Sequence, residues 1–257
     1  MEMVGTLLRK TTAGGAALLA GELLWAIARP VPAFEDLDAS GREGDPSAPP
    51  LRLAVLGDSS CTGPGLDDPA DIWVRVLART LADRFHVSVR SFAIGGSRAV
   101  DVARSQLGGA IGWSPDIAFV SVGANDALKG VSIRTFERHL GTVVAGLVTT
   151  SALVVLSGVG DLGSIPRLLP PLDRIYRARG LQMNDVHHQV GARHGAVVAD
   201  QWSWAAHEFA RRPDLFSADL FHPGPDGHRI WAAVAGETIA PHLARFSPNA
   251  PGETRVR

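Results

Sequence analysis

Residues Leu51–Gly63 read LRLAVLGDSSCTG. The apolar run Leu53–Leu56 reads as a buried strand. It ends in Gly57-Asp58-Ser59, and Gly63 and Gly65 follow. A hydroxyl just past the carboxyl end of a strand stands where open α/β sheets bind ligands. The glycines let the backbone turn sharply and let a substrate come close. The stretch therefore nominates Ser59 as a nucleophile. A serine hydroxyl is weak by itself, so this reading requires a histidine, an acid and oxyanion donors elsewhere in the chain.

Working outward, apolar runs at Val87–Ile94, Ile117–Val122, Ala152–Leu156 and Ala196–Ala199 predict four further strands. Helices are expected between them at Asp71–Phe85, Ala99–Gln106, Ser132–Val148, Leu181–His194 and Ser203–Arg211, with a last one at Asp226–Leu243. Ser132 is a suitable N-cap, and Leu140, Val143, Val144 and Leu147 form an apolar face. Residues 164–180 are broken by prolines. This alternation predicts an α/β fold, a five-stranded, mostly parallel sheet with helices on both faces. The first three strands end in glycine-containing polar turns: Gly57-Asp58-Ser59, Gly95-Gly96 and Gly123-Ala124-Asn125. In a parallel sheet those ends share one edge, so segments far apart in sequence converge there.

The base and its acid have candidates in one short piece, Asp219-Leu220-Phe221-His222-Pro223. In a tight loop Asp219 can orient one imidazole nitrogen of His222 while the other faces Ser59. Asn125 offers a side-chain amide at a strand end. With the backbone N–H groups of Ser59 and Gly96 it forms a candidate oxyanion hole, in which one donor is typically worth about 2.7–4 kcal/mol.

These residues resemble the SGNH (GDSL-type) hydrolase family. Its first block matches Gly57-Asp58-Ser59 with Gly63, and its second-block glycine matches Gly96. Its third block, Gly-x-Asn-Asp, matches Gly123-Ala124-Asn125-Asp126, and its fifth, Asp-x-x-His-Pro, matches Asp219–Pro223. The resemblance spans roughly 51–243. It implies a flavodoxin-like three-layer α/β/α fold and hydrolysis of esters or thioesters through an acyl-serine, without metal or other cofactor. It implies Ser59 as nucleophile and first oxyanion donor, Gly96 and Asn125 as the other donors, His222 as base and Asp219 as its orienter. Two departures stand out. Ser91-Phe92-Ala93 lacks the asparagine often found before the second-block glycine. Arg98 follows that glycine closely, and reads either as a cleft residue or as half of a salt bridge.

Other features compete for attention. Gly158-Val159-Gly160-Asp161-Leu162-Gly163 fits a dinucleotide fingerprint, but that motif needs an unbroken helix opening at the third glycine. Pro166, Pro170 and Pro171 interrupt it, so a glycine-rich cleft wall is the better reading. Cys61 is expected to be a small, partly buried residue. His228 is expected to be structural, and His187 and His188 lack a third metal ligand.

The 257 residues, 46% hydrophobic and 20% charged, suffice for one α/β domain of about 200 residues plus an extension. The net charge of -1, without a basic stripe, argues against nucleic acid. One cysteine excludes a disulfide within the chain. The expected layout is a hydrophobic N-terminal helix over 1–28, a Pro-rich linker over 29–50, the hydrolase domain over 51–246 and a disordered tail over 247–257. Arg9 and Lys10 precede the apolar stretch Thr11–Ala28, which Glu22 interrupts. An anchor or uncleaved signal, a cleaved signal, and an amphipathic helix on the domain or a membrane surface all fit it. The first two predict a membrane-associated or exported protein; the third also admits a cytoplasmic one. The expected function is a serine esterase acting on a small-molecule, lipid or glycan ester. The rivals are an O-acyltransferase or deacetylase acting on surface glycans, and a catalytically dead membrane-tethered binding module.

Overall fold

The computed structural model describes residues 34–247 together with Gly21. The segment 1–28, and the tail 247–257 beyond Ser247, lie outside the described residues apart from Gly21. Among the described residues no helix is long and apolar enough to cross a membrane.

Among the described residues the sheet has six strands, one more than the sequence pattern predicts. They are β1 (Gly41–Glu43), β2 (Pro50–Gly57), β3 (His86–Ser91), β4 (Ile117–Ser121), β5 (Leu153–Ser157) and β6 (Val197–Ala199), in the order β1-β3-β2-β4-β5-β6. Only β1 is antiparallel, pairing Gly41–Glu43 with Val87–Val89. It lies in the stretch expected to be a linker. Its three residues, Gly-Arg-Glu, show no apolar alternation, and its order comes from distant partners. Ala39 beside it is fully buried, Arg75 pairs with Glu43 at 2.5 Å, and Ser91 N–H donates to Ser40 Oγ at 3.0 Å.

The central strands are buried on both faces, which is why they read as unbroken apolar runs. Leu53, Val55, Ile117 and Phe119 pack on one side with α1 (Trp73–Leu81) and α8 (Pro225–Ile239). Ala54, Leu56, Ala118 and Val120 pack on the other with α5 (Ile133–Leu147) and α6 (Leu172–His194). The helical layer also contains α2 (Ala99–Asp101), a π-helical turn Val102–Gln106, α3 (Leu107–Trp113), α4 (Ala124–Leu128) and α7 (Gln201–Arg211). Ser132 caps α5 by accepting from Thr135 N–H at 3.2 Å. The expected face, Leu140, Val143, Val144 and Leu147, is buried. Helix α6 starts nine residues before the expected Leu181, because the proline-broken part ends at Pro171 and Leu172 opens the helix directly. Its first turns, LDRIYRARG, mix charged and apolar residues and bury only Leu172 and Gly180, so they carry little hydrophobic periodicity.

Strand order reverses at β2: β3 lies on one side of it and β4 on the other. In open α/β sheets a crevice forms at such a switch point, beyond the carboxyl ends of the strands. Ser59 is two residues past the end of β2.

Candidate active site

Strand β2 ends at Gly57, where φ is +155° and a Cβ would collide with the Ser121 carbonyl oxygen. Only glycine fits there. Asp58 then caps the single turn Ser59–Cys61, accepting from Ser60 N–H at 2.9 Å. Burial pushes the Asp58 carboxyl up, and hydrogen bonds from Ser60 and Asn125 oppose the shift. The turn presents the Ser59 side chain at the edge of the sheet.

The loop before α8 brings the other groups. Ser217 N–H donates to His222 O at 2.7 Å, and Phe216 bridges Pro223. Leu220, inside this tight loop, takes a left-handed φ of +58°. A non-glycine residue held there is strained, and such strain clusters at functional sites. Asp219 is 1% exposed. Its Oδ1 accepts from Ser217 Oγ (2.7 Å), Phe221 N–H (2.8 Å) and His222 N–H (2.9 Å). Its Oδ2 lies 2.6 Å from His222 Nδ1, and His222 Nε2 lies 3.0 Å from Ser59 Oγ. Burial works upward on the Asp219 carboxyl, but the bonds from His222, Ser217 and Phe221 outweigh it and hold the acid far below its usual range. An ionised carboxylate only accepts. The proton of the neutral ring therefore sits on Nδ1, and the Nε2 lone pair is left to accept from the Ser59 hydroxyl.

Across the crevice, Gly96 turns with φ +73°. Neither Ser59 N–H nor Gly96 N–H has an acceptor among the described residues. Asn125, at the start of α4, donates from Nδ2 to Asp58 Oδ2 at 3.4 Å. The structure thus brings Ser59, His222 and Asp219 into one hydrogen-bonded chain, with Gly96 and Asn125 on turns at the same sheet edge.

Several further side chains bear on the site. Arg167, buried in the proline-rich loop, donates to the Asp219 carbonyl at 3.0 Å. Asp126 accepts from Ala99 N–H at 3.0 Å. Burial, with Asp58 adding to it, pushes the Asp126 carboxyl up to about 6. Asp36, from the supposed linker, accepts from Gly95 N–H (2.9 Å) and Thr62 Oγ (2.6 Å). Motif spacing could have drawn notice to Asp126 alone, as the residue after Asn125. The Gln106 side-chain amide donates to Ser97 Oγ, beside the second-block glycine, at 3.1 Å.

The competing residues find bland places. Arg98 pairs with Asp101 at 3.1 Å, so the salt-bridge reading holds. Cys61 is fully buried, and burial pushes its thiol up to about 12, which leaves it unreactive. His228 accepts from Trp73 N–H at 3.3 Å. Burial lowers His228 to about 3 and His187 to about 4, so both are neutral core histidines. Among the described residues no group of three or more His, Cys, Asp and Glu is placed to hold a metal. The glycine-rich Gly158–Gly163 loop lines the crevice. Asn184 of α6 clamps it, accepting from Val159 N–H and donating to Val159 O, both at 2.8 Å.

Next to Ser59 lies a cavity of about 100 Å³. Its walls are Val159, Leu162, Ile165, Phe209, Phe221 and Trp231, and its polar floor is Ser121, Ser157 and Gln201.

Known proteins resemble this chain in sequence and in fold. The chain is 28% identical over 187 residues to a GDSL-like esterase of Mycobacterium tuberculosis. That alignment covers 71% of this chain and 59% of the relative, so the chain spans less than two thirds of that protein's length. In fold it is similar to a lipase/acylhydrolase from Enterococcus faecalis, with a TM-score of 0.60 and 23% identity over 75% of this chain and 96% of that one. It is also similar to a catalytic mutant of Axe2, an acetylxylan esterase from Geobacillus stearothermophilus, with a TM-score of 0.62 and 17% identity over 75% and 95%. The model of the GDSL-like Lipase/Acylhydrolase family matches residues 55–230. That span runs from the strand before Ser59 to past His222, and the chain belongs to the GDSL-like Lipase/Acylhydrolase family of ester-cleaving hydrolases.

Proposed function

We propose that the chain is a serine esterase that hydrolyses acyl esters through an acyl-Ser59 intermediate. The observation that carries this reading is the continuous chain Asp219 Oδ2–His222 Nδ1 (2.6 Å) and His222 Nε2–Ser59 Oγ (3.0 Å). Ser59 Oγ attacks the ester carbonyl carbon as its proton passes to His222 Nε2. The carbonyl π electrons move to oxygen, and the resulting oxyanion is received by Ser59 N–H, Gly96 N–H and the Asn125 amide. Asp219 stabilises the imidazolium that forms. When the tetrahedral intermediate collapses, the ester C–O bond breaks and the alcohol leaves with the proton from His222. Water then gives a proton to His222 as it attacks the acyl carbon; the bond from that carbon to Ser59 Oγ breaks, Oγ takes the proton back from His222, and the acid leaves. The apolar cavity beside Ser59 supports an acyl group lodged there during this cycle.

Ser59→Ala should abolish turnover of p-nitrophenyl butyrate, and a fluorophosphonate should label Ser59 in the parent. Retained turnover in the variant would sink the assignment. A deacetylase or O-acyltransferase acting on surface glycans is the second reading, motivated by the acetylxylan esterase among the neighbours in fold. Release of free acetate against transfer to sugar hydroxyls separates hydrolysis from transfer. The intact set of five site residues speaks against a dead binding module. The apolar stretch 11–28 supports a membrane-associated or exported protein, which fractionation of the full chain tests.

A further inference from the structure

The helix after the Gly95-Gly96 turn is not α-helical throughout: Val102–Gln106 winds as a π-helix between α2 and α3. Such turns give up hydrogen-bond geometry and recur at functional sites. This one delivers a polar side chain to an apolar face. Ala99, Val102 and Ala110 are buried, and Gln106 is buried with them at 1% exposure. A residue placed there only to fill space would be apolar, because an unbonded buried amide is destabilising.

The Gln106 amide is bonded at both ends. Oε1 accepts from Gly57 N–H at 2.8 Å. Nε2 donates to Gly57 O at 2.9 Å and to Ser97 Oγ at 3.1 Å. Ser97 Oγ in turn donates to Ile94 O at 2.7 Å. Gly57 stands two residues before Ser59, and Ser97 follows Gly96 directly. One side chain therefore ties together the two backbone segments that carry the unbonded Ser59 and Gly96 N–H groups. The paired register of β2 and β3 ends at Val55 and Ser91. Past it the segments are joined by Phe92 N–H to Val55 O, Ile94 N–H to Gly57 O, and Gln106.

We infer that Gln106 is a positioning residue, which sets the spacing of the Ser59 and Gly96 N–H donors for the transition-state oxygen. The inference rests on the esterase reading. It predicts a loss felt in the transition state and not in substrate binding.

The test compares the parent with Gln106→Leu, of similar volume, and Ser97→Ala, which removes the two bonds of Ser97 Oγ and leaves both Gln106–Gly57 bonds in place. For p-nitrophenyl butyrate, Gln106→Leu should lower kcat by about 10–100-fold with KM changed less than about threefold. Ser97→Ala should lower kcat by about three- to tenfold. Affinity for an alkyl boronate, whose adduct on Ser59 mimics the tetrahedral oxyanion, should fall by the same factor as kcat/KM. Hydrogen exchange of the peptide holding Gly95–Ser97 should quicken in both variants. A merely structural role would lower Tm while kcat per folded molecule stayed within twofold of the parent. That result, or unchanged exchange, overturns the proposal. If Gln106→Leu does not fold, Ser97→Ala decides. If the parent cleaves no ester, the esterase reading fails, and the exchange comparison still decides whether Gln106 holds the turn.

Discussion

Asp219→Asn is a near-isosteric change with an outcome the hydrogen-bond pattern dictates. Asp219 Oδ1 accepts from three donors, Ser217 Oγ, Phe221 N–H and His222 N–H. The asparagine oxygen must take that place, since its NH2 would face donors there. The NH2 then lands at the Oδ2 position, 2.6 Å from His222 Nδ1. Nδ1 becomes an acceptor, and the ring proton moves to Nε2, which faces Ser59 Oγ. His222 can no longer take the serine proton without first adopting the wrong pairing with residue 219. Loss of the charge-assisted bond to the imidazolium costs about 1.5–3 kcal/mol. Reversing the tautomer against the NH2 group adds a similar amount, on the order of 2–3 kcal/mol. The sum corresponds to a fall in kcat of about 10³–10⁴. The loop keeps its three Oδ1 bonds, so Tm should move by no more than a few degrees. The assay is p-nitrophenyl acetate hydrolysis with the folded fraction measured by circular dichroism. A variant with kcat within tenfold of the parent would refute the reasoning. So would an equal loss produced by unfolding.

Asn125→Ala should lower kcat by about 10²–10³ with a smaller change in KM; a large change in KM alone would argue against an oxyanion role. The two buried histidines make the fold acid-sensitive. His187 and His228 have folded values of about 4 and about 3, below the unfolded 6.5, so the unfolded chain binds more protons and stability rises with pH. As pH falls from 6.5 toward 4, each should cost up to about 1.4 kcal/mol per pH unit. Urea midpoints at pH 7.5 and 5.5 check this, and equal midpoints would contradict it. Removing residues 1–50 should lower Tm by about 4–12 °C, for a loss of about 2–3 kcal/mol, because the buried Ala39 and the β1 pairing go with them. The shortened chain should also lose activity beyond its loss of stability, since Asp36 no longer holds Gly95. Unimpaired turnover by a chain beginning at Leu51 would show that Asp36 and β1 are dispensable.

The five parallel strands and the residues of the Asp219–His222–Ser59 hydrogen-bonded chain were legible in the sequence because local information suffices for both. Strands covered on two faces must be continuously apolar, as Leu53–Leu56 and Ile117–Val122 are. Asp219 and His222 share one tight loop, so their pairing is written in a three-residue spacing. Turns such as Gly57-Asp58-Ser59 demand glycine where φ is positive, and that demand is also local. Tertiary structure alone decided the rest. Strand β1 is three residues without apolar alternation and exists only because β3 and Arg75 receive it. Helix α6 begins at Leu172 because Pro171 ends the loop just before it. Gln106, Asp36, Arg167 and Asp126 matter through partners as far as 49, 59, 52 and 27 residues away. No periodicity or spacing rule reports a bond across such a distance. The sequence therefore determined which residues can do the chemistry at the end of Leu51–Gly63, and only the packed fold determined which side chains hold them in place.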